Sequence, residues 1–247
     1  MSFLASTFNF ALLAGTAFGP KEIWEAATPF NKVIIVILLI LLLLEVYIII
    51  ERGVMYWRSN TASKKFMKLF LDTLRRGDFD AAKRAASTHN NSHVAMVLKH
   101  GLDIYQYEKQ LMTNKPDYNV VQAVERAVVR GTAEVTELLK KGMSTMGTIA
   151  SASPFIGLLG TVWGIIAVFS ALKEQGAGDI NALAGAIGEA LGATALGLIV
   201  AIPAVWFYNI LTGQQDKTIS NINNAASQMI DEFIRREGQG QGQAQSS

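Results

Sequence analysis

A single carboxylate interrupts a long apolar stretch near the end of the sequence. Residues 180–213 contain Glu189 as their only charged residue, and residues 147–172 contain none. A charged side chain in the middle of a membrane span costs about 2.5–3.5 kcal/mol on insertion scales, and such residues typically face a cavity or a partner and mark proton relays. A carboxyl group in this position can bind and release a proton. Glu189 is therefore the first candidate for ion transport.

A second carboxylate, Glu45, lies within the apolar residues 33–50. Two interpretations are open for it. Because Glu51 and Arg52 follow closely, the side chain of Glu45 could extend along the helix toward the membrane surface. Alternatively, Glu45 is a second group on an ion pathway.

The sequence offers little for metal or enzyme chemistry. His89, His93 and His100 have a partly helical spacing, but only Asp103 is placed to complete a metal site with them. We interpret the three histidines as surface residues. The chain has no cysteine, which excludes disulfides and thiolate catalysis. The motifs of phosphate-binding loops, serine hydrolases and zinc proteases are missing from the sequence. We predict that the protein is not an enzyme and has no metal and no cofactor.

The elements that must position Glu189 are membrane-spanning helices. Of the 247 residues, 50% are hydrophobic and only 17% are charged, a composition that excludes a wholly disordered chain. A helix needs about 20 apolar residues to cross the hydrocarbon. Three stretches are long enough, at residues 33–50, 147–172 and 183–211. The sequence predicts an all-α membrane protein with three transmembrane helices.

The distribution of Lys and Arg predicts the orientation in the membrane. Residues 51–146 contain 16 of the 22 basic residues, so this segment is predicted to be cytoplasmic by the positive-inside rule. The N-terminal residues 1–32 and the short loop at residues 173–182 are then periplasmic. The C-terminal residues from 212 onward are cytoplasmic.

The segments outside the spans also have helical patterns. Residues 51–146 are predicted to form a cytoplasmic helical domain, in which Gly77 ends one helix and Asp78 caps the next. The pattern at residues 119–141 shows no clear terminator before the second span. A cytoplasmic helix is predicted at residues 212–237. The last residues, 238–247, read GQGQGQAQSS and are predicted to be a disordered tail.

The second and third spans are rich in small residues, unlike the Leu- and Ile-rich first span. Gly160 and Gly164 lie one turn apart in the second span, and Gly188 and Gly192 lie one turn apart in the third. This spacing lets helix backbones approach closely. We predict that these helices pack against protein.

Two motifs in these spans resemble the ExbB/TolQ proton-channel family, which is related to MotA. In the second span, residues 153–164 read SPFIGLLGTVWG. In the third span, residues 189–209 contain EAL, ATA and AIPAV followed by YN. The two motifs occur in the expected order and are separated by a short loop.

The resemblance implies a function and an assembly. It implies that Thr161, Glu189 and Thr194 lie on an ion pathway. It further implies a homopentamer around a dimer of an ExbD/TolR-like single-span protein with an intramembrane Asp, acting through that partner on a periplasmic or outer-membrane effector. Such a motor subunit lies in the inner membrane of a Gram-negative bacterium. It uses the proton-motive force for outer-membrane energisation, envelope maintenance or gliding.

Helical geometry restricts where the three pathway residues point. Glu189 and Thr194 are five residues apart, which separates them by about 140° around a helix. We expect Thr194 to face a central cavity together with Thr161, and Glu189 to lie toward the adjacent subunit or at the cavity edge. A non-conducting membrane scaffold and a sodium-driven homologue are the alternative functions.

Overall fold

The structure is a computed structural model that describes residue 24 and residues 27–111, 119–175 and 180–244. These parts of the chain are helical and contain no strand. Six helices of eight or more residues are described: α1 (Pro29–Arg76), α2 (Phe79–Thr88), α3 (His93–Leu111), α4 (Val120–Lys140), α5 (Met143–Gln175) and α6 (Ile180–Ala244). The predicted all-α fold is confirmed.

Three helical stretches of the described chain are long and apolar enough to cross a membrane. They are Pro29–Arg76, Val120–Ser170 and Gly185–Glu237. Each contains the apolar core of one predicted span, so the prediction of three candidate transmembrane helices is confirmed.

The chain divides into two compact units. The first, called the membrane unit here, comprises residues 1–49 and 144–208. The second unit comprises residues 50–143 and 209–247. Each unit is described separately below.

The membrane unit has a core formed by one face of each of its three helices. Ile34 and Leu38 of α1 pack with Ile149 of α5 and with Val200 and Ala204 of α6. The side chains on the opposite face of α1 are exposed and also apolar, including Val33, Ile40 and Leu43. A helix that is apolar on all sides suits a lipid environment, where its outer face needs no polar residues.

In the second unit, the short helix α2 begins at the residues that the sequence predicted. Gly77 has a φ of +73°, a left-handed conformation that glycine adopts without steric cost. The Asp78 side chain then accepts a hydrogen bond of 2.8 Å from the Ala81 N–H, which satisfies an otherwise unpaired donor in the first turn of α2. Both predictions are confirmed. The Tyr105 and Phe233 rings stack at 4.0 Å in the core of this unit.

Three boundaries differ from those expected. Helix α1 begins at Pro29, before the predicted first residue of the span. Gly142, with a φ of +80°, separates α4 from α5, where the sequence showed no clear terminator. Helix α6 continues to Ala244, through part of the predicted disordered tail at residues 238–247. Propagating an existing helix is easier than nucleating one, because each added residue contributes one further hydrogen bond.

One of the three histidines is not a surface residue. His93 is only 8% exposed, and its Nδ1 lies 2.6 Å from Ser59 Oγ. Burial, together with the Arg52 guanidinium, lowers the pKa of His93 below its ordinary value. The interpretation of His93 as a surface side chain is therefore wrong. The next two residues, Val94 and Ala95, are also buried, so α3 begins in the interior of the unit.

Candidate functional site

The Glu189 carboxylate is buried in the membrane unit and is held by the start of α1. Only 7% of Glu189 is exposed. Its Oε1 accepts a hydrogen bond of 2.9 Å from Asn31 Nδ2 and one of 3.0 Å from the Thr28 N–H. Two donors on one oxygen suit an ionised carboxylate, because hydrogen bonds to charged groups are the strong ones.

The first turn of α1 explains why these donors are available. Pro29 occupies the first helical position, where its missing N–H costs nothing. Thr28 precedes it, and the Thr28 hydroxyl accepts a hydrogen bond of 3.3 Å from the Asn31 N–H, as an N-terminal cap does. The N-terminal end of a helix carries partial positive charge. A carboxylate is therefore stabilised at this end of α1.

A second polar feature joins α5 to α6. The hydroxyl groups of Thr161 and Thr194 are hydrogen-bonded to each other. Thr161 Oγ1 also lies 3.1 Å from the main-chain oxygen of Ala190 on α6, and Thr194 Oγ1 lies 3.1 Å from that of Gly157 on α5. The two threonines thus form a hydroxyl pair between the helices, with carbonyl acceptors from both.

Glycines bring the two helices close enough for this pair to form. A Cβ atom on Gly157 would lie 2.8 Å from the main-chain oxygen of Ala193, and one on Gly197 would lie 2.7 Å from that of Ser153. Real Cβ atoms do not approach backbone atoms so closely. Only glycine therefore fits both positions without moving a helix.

The four glycines that were predicted to mediate helix packing differ in their surroundings. A Cβ on Gly160 would lie 2.8 Å from the Ala193 Cβ, and one on Gly164 would lie 2.6 Å from the Ala190 Cβ. These two glycines therefore pack against α6 of the same chain. Gly188 and Gly192 are half-buried. The residues that face the glycines of α5 are Ala190 and Ala193.

The structure brings together only part of the predicted pathway. Thr161 and Thr194 are in contact with each other between α5 and α6; that they face a central cavity stays a prediction. Glu189 lies against the start of α1 of its own chain; that it also lies toward the adjacent subunit or at the cavity edge stays a prediction. Glu189 and Thr194 are separated by a rotation of about 140° around α6. Thr194 therefore points toward α5, and Glu189 points toward α1.

Glu45 is apart from this site and is also buried. It is 1% exposed, and neither carboxylate oxygen has a hydrogen-bond donor among the described residues. The interpretation in which Glu45 extends to the surface is therefore wrong. Within the described part of the chain, no three His, Asp or Glu side chains form a group that could hold a metal ion.

Comparison with known proteins decides the family. Residues 89–224 match the model of the MotA/TolQ/ExbB proton channel family. The chain belongs to this family. The match includes Thr161, Glu189 and Thr194, and the resemblance stated from the two motifs is confirmed.

Individual relatives of the MotA/TolQ/ExbB family align with parts of the chain. The biopolymer transport protein ExbB of Xanthomonas campestris pv. campestris (strain B100) is 38% identical over 110 residues, which are 44% of each chain. ExbB of Neisseria gonorrhoeae is 32% identical over 167 residues, 66% of this chain and 74% of that protein. The Tol-Pal system protein TolQ of Haemophilus influenzae is 38% identical over 125 residues, 51% and 53% of the two chains. The matched region thus spans less than half of the Xanthomonas protein.

Asn31 and Thr28 are the site residues that the sequence analysis missed in this MotA/TolQ/ExbB family member. They precede the matched residues 89–224 and lie in the segment predicted to be periplasmic. A local signal was present, since a Thr-Pro pair often starts a helix. Nothing in the sequence connected this helix start with Glu189, which follows Asn31 by 158 residues.

Proposed function

We propose that this chain is the proton-channel subunit of an inner-membrane motor that converts the proton-motive force into mechanical work. One observation carries the proposal: the buried Glu189 carboxylate in a candidate span is held by two donors from α1. The family match supports proton transport, and the Thr161–Thr194 pair supplies hydroxyl groups, one of them on the same helix, α6, as the carboxylate.

A proton can act at Glu189 by changing the strength of its contacts. The ionised carboxylate attracts the Asn31 amide and the Thr28 N–H, and hydrogen bonds to charged groups contribute about 1.5–3 kcal/mol each. Protonation removes the charge and weakens both bonds. A neutral Glu189 is therefore free to leave the start of α1, and an ionised one returns to it.

The energy that one proton supplies is similar to the free energy of these hydrogen bonds. One proton that crosses a potential of 100 mV releases roughly 2.3 kcal/mol. This energy drives a movement only if two arrangements bind the proton differently. Glu189 in contact with α1 and Glu189 released from it are two such arrangements.

We further propose a homopentamer around a dimer of an ExbD/TolR-like single-span partner that carries an intramembrane Asp. Five subunits around two cannot satisfy every contact at once, and we propose that proton binding drives rotation of one relative to the other. Large apolar side chains on α5 and α6 are exposed in the single chain, among them Phe155 at 71% and Ile202 at 65%. Neighbouring subunits, the partner and lipid would cover them.

The process that the motor serves is proposed from its relatives. Those aligned above are named as biopolymer transport and Tol-Pal system proteins. We propose outer-membrane energisation, envelope maintenance or gliding, with the effector in the periplasm or outer membrane. The 16 basic residues of residues 51–146 support a periplasmic N-terminus and a cytoplasmic C-terminus.

Replacing Glu189 tests the proposal. Glu189→Gln keeps the shape and both donors but cannot exchange a proton, so it should abolish proton flux into liposomes while the complex with the partner still assembles. Glu134→Gln, an exposed glutamate of the second unit, is the matched control and should conduct normally. Normal flux in Glu189→Gln would exclude Glu189 as the proton carrier. Flux that follows a sodium gradient and ignores a proton gradient would favour the sodium-driven alternative.

The hydroxyl pair is tested in the same assay. Thr161→Val and Thr194→Val remove only the hydroxyl groups and should reduce proton flux more than they reduce the yield of folded complex. Equal losses in flux and yield would give the pair a purely structural role.

A further inference from the structure

Glu45 occupies a position in the membrane unit that packing alone does not explain. It follows Asn31 by 14 residues on α1, which places it about 21 Å farther along the helix. Fourteen residues also bring it back to nearly the same side of the helix. The side of α1 that contacts Glu189 near the start of the first predicted span therefore carries a second carboxyl group toward the other end of that span.

The surroundings of Glu45 along α1 are apolar. Leu38 and Ile48, on the same face, are 0% and 5% exposed. Leu41 and Leu42, one turn earlier, pack on the core cluster that includes Ile149. Glu45 continues this buried face with a polar group, and its two oxygens have no donor among the described residues.

An ionised carboxylate is costly in such a place. Glu189, by comparison, is buried to a similar extent but has two donors. Without such donors, the charged form of Glu45 has nothing in the described chain to replace its hydration. A protonated carboxyl group loses far less on burial, because it is neutral. This environment therefore favours the neutral, protonated form of Glu45.

We propose that Glu45 is a second proton-binding site of the membrane unit, separate from Glu189. Ile34 and Leu38, both members of the apolar core cluster, lie on α1 between Asn31, which contacts Glu189, and Glu45. Glu45 exchanges its proton with the membrane surface nearest to its own end of the span. Its part in transport rests on the proposed function, whereas its protonation does not.

Infrared spectroscopy of the full-length protein in liposomes tests the protonation. At neutral pH the wild type should show the carbonyl band of a protonated carboxyl group in an apolar environment. Glu45→Gln should lose this band, and Glu189→Gln should keep it. Glu51→Gln, whose side chain is 43% exposed, is the matched control and should also keep the band. A spectrum unchanged in Glu45→Gln overturns the proposal.

A second measurement needs no variant and covers the case in which Glu45→Gln does not fold. Dicyclohexylcarbodiimide, an apolar reagent, reacts with protonated carboxyl groups inside membranes. Mass spectrometry of the treated wild type should find the label on the peptide that contains Glu45 and not on Glu51. Failure to label Glu45 counts against its protonated state.

Proton flux decides the role of Glu45 in transport. With the partner present, Glu45→Gln should reduce flux at least tenfold without loss of the assembled complex. Normal flux in this variant removes Glu45 from the transport cycle. Normal flux in Glu189→Gln overturns the proposed function instead, and the infrared and labelling results for Glu45 then stand by themselves.

Discussion

The two units differ in whether their buried polar side chains have hydrogen-bond partners. In the second unit, Ser59 is paired with His93 at 2.6 Å, and Ser63 is paired with Ser92 at 2.8 Å. Arg52 donates to the main-chain oxygen of Leu138 at 3.0 Å. Each of these groups has a partner in its own unit, which is what buried polar groups need in order to stabilise a fold.

In the membrane unit several buried polar atoms lack such partners. Among the described residues, Asn31 Oδ1, Ser153 Oγ and both oxygens of Glu45 have none, whereas the one such atom of the second unit, Asp103 Oδ1, lies 2.6 Å from the Lys83 ammonium. Close contact between glycine-containing helices holds this unit together, as at Gly157 and Gly197. The difference indicates that the polar groups of the second unit serve stability. For those of the membrane unit, the role proposed above is proton transport.

After Glu189→Gln, the largest effect is expected from Asn31→Leu, because Asn31 donates to the Glu189 carboxylate. The variant removes one donor to the Glu189 carboxylate, worth about 1.5–3 kcal/mol, so proton flux should fall by about 10- to 100-fold while the free energy of unfolding falls by no more than the value of this contact. Asn223→Leu, at an exposed position of the second unit, is the control. A large loss of stability with unchanged flux would reverse the assignment of Asn31.

Gly197→Ala tests whether close contact between helices stabilises the membrane unit. The added Cβ would lie 2.7 Å from the Ser153 main-chain oxygen, so the helices must separate, at a cost of about 1–3 kcal/mol. At Gly185 nothing lies within 4 Å of an added Cβ. Gly185→Ala should therefore be neutral or stabilising. Thermal unfolding in detergent compares the two, and equal stability of both variants contradicts the close contact.

Asp78→Ala should affect stability alone, since Asp78 caps a helix of the second unit. Loss of the hydrogen bond from the Ala81 N–H should cost about 1 kcal/mol. Denaturation measures the loss, and proton flux at a temperature where the variant is folded should equal that of the wild type. Reduced flux under those conditions would show that the second unit contributes to transport directly.

His93 should give the smallest effect, as a pH dependence of stability. Burial, with Arg52, lowers the pKa of His93 from its ordinary value of 6.5. The unfolded chain therefore takes up a proton at higher pH than the folded chain does. The stability that neutral His93 provides is complete above about pH 6.5 and is lost as the pH falls through the folded-state pKa.

The measurement is the unfolding temperature between about pH 5 and pH 8. The loss of stability toward acid should be smaller in His93→Gln than in the wild type. His100→Gln, at an exposed position of the same helix, is the control. Equal slopes in His93→Gln and the wild type would show that His93 does not contribute.

Local signals were enough to predict the elements. Three long stretches nearly free of charge predicted the spans, because the hydrocarbon leaves no alternative for such segments. Gly77 and Asp78 predicted the break before α2, because backbone conformation and capping depend on adjacent residues. At Gly142 the same kind of signal was present, but the helical pattern on both sides obscured it.

Contacts between distant residues could not be predicted in the same way. The pairing of Asn31 with Glu189 depends on how two helices are rotated and shifted relative to each other. Gly157 and Gly197 lie outside the predicted packing pairs and become recognisable only when the facing backbone is known. The burial of His93 depends on Ser59, which belongs to a different helix.

The contact between Asn31 and Glu189 also has a consequence for biosynthesis. Asn31 enters the membrane early, and its partner is translated 158 residues later. At about 5–20 residues per second, the ribosome needs roughly 8–30 s to reach it. During that time the first helix lies in the bilayer with an amide group that has not met its carboxylate. Insertion of the third helix ends this interval. A chain truncated before Glu189 would keep an Asn31 amide without this partner, a feature by which membrane proteases could distinguish it from the finished protein.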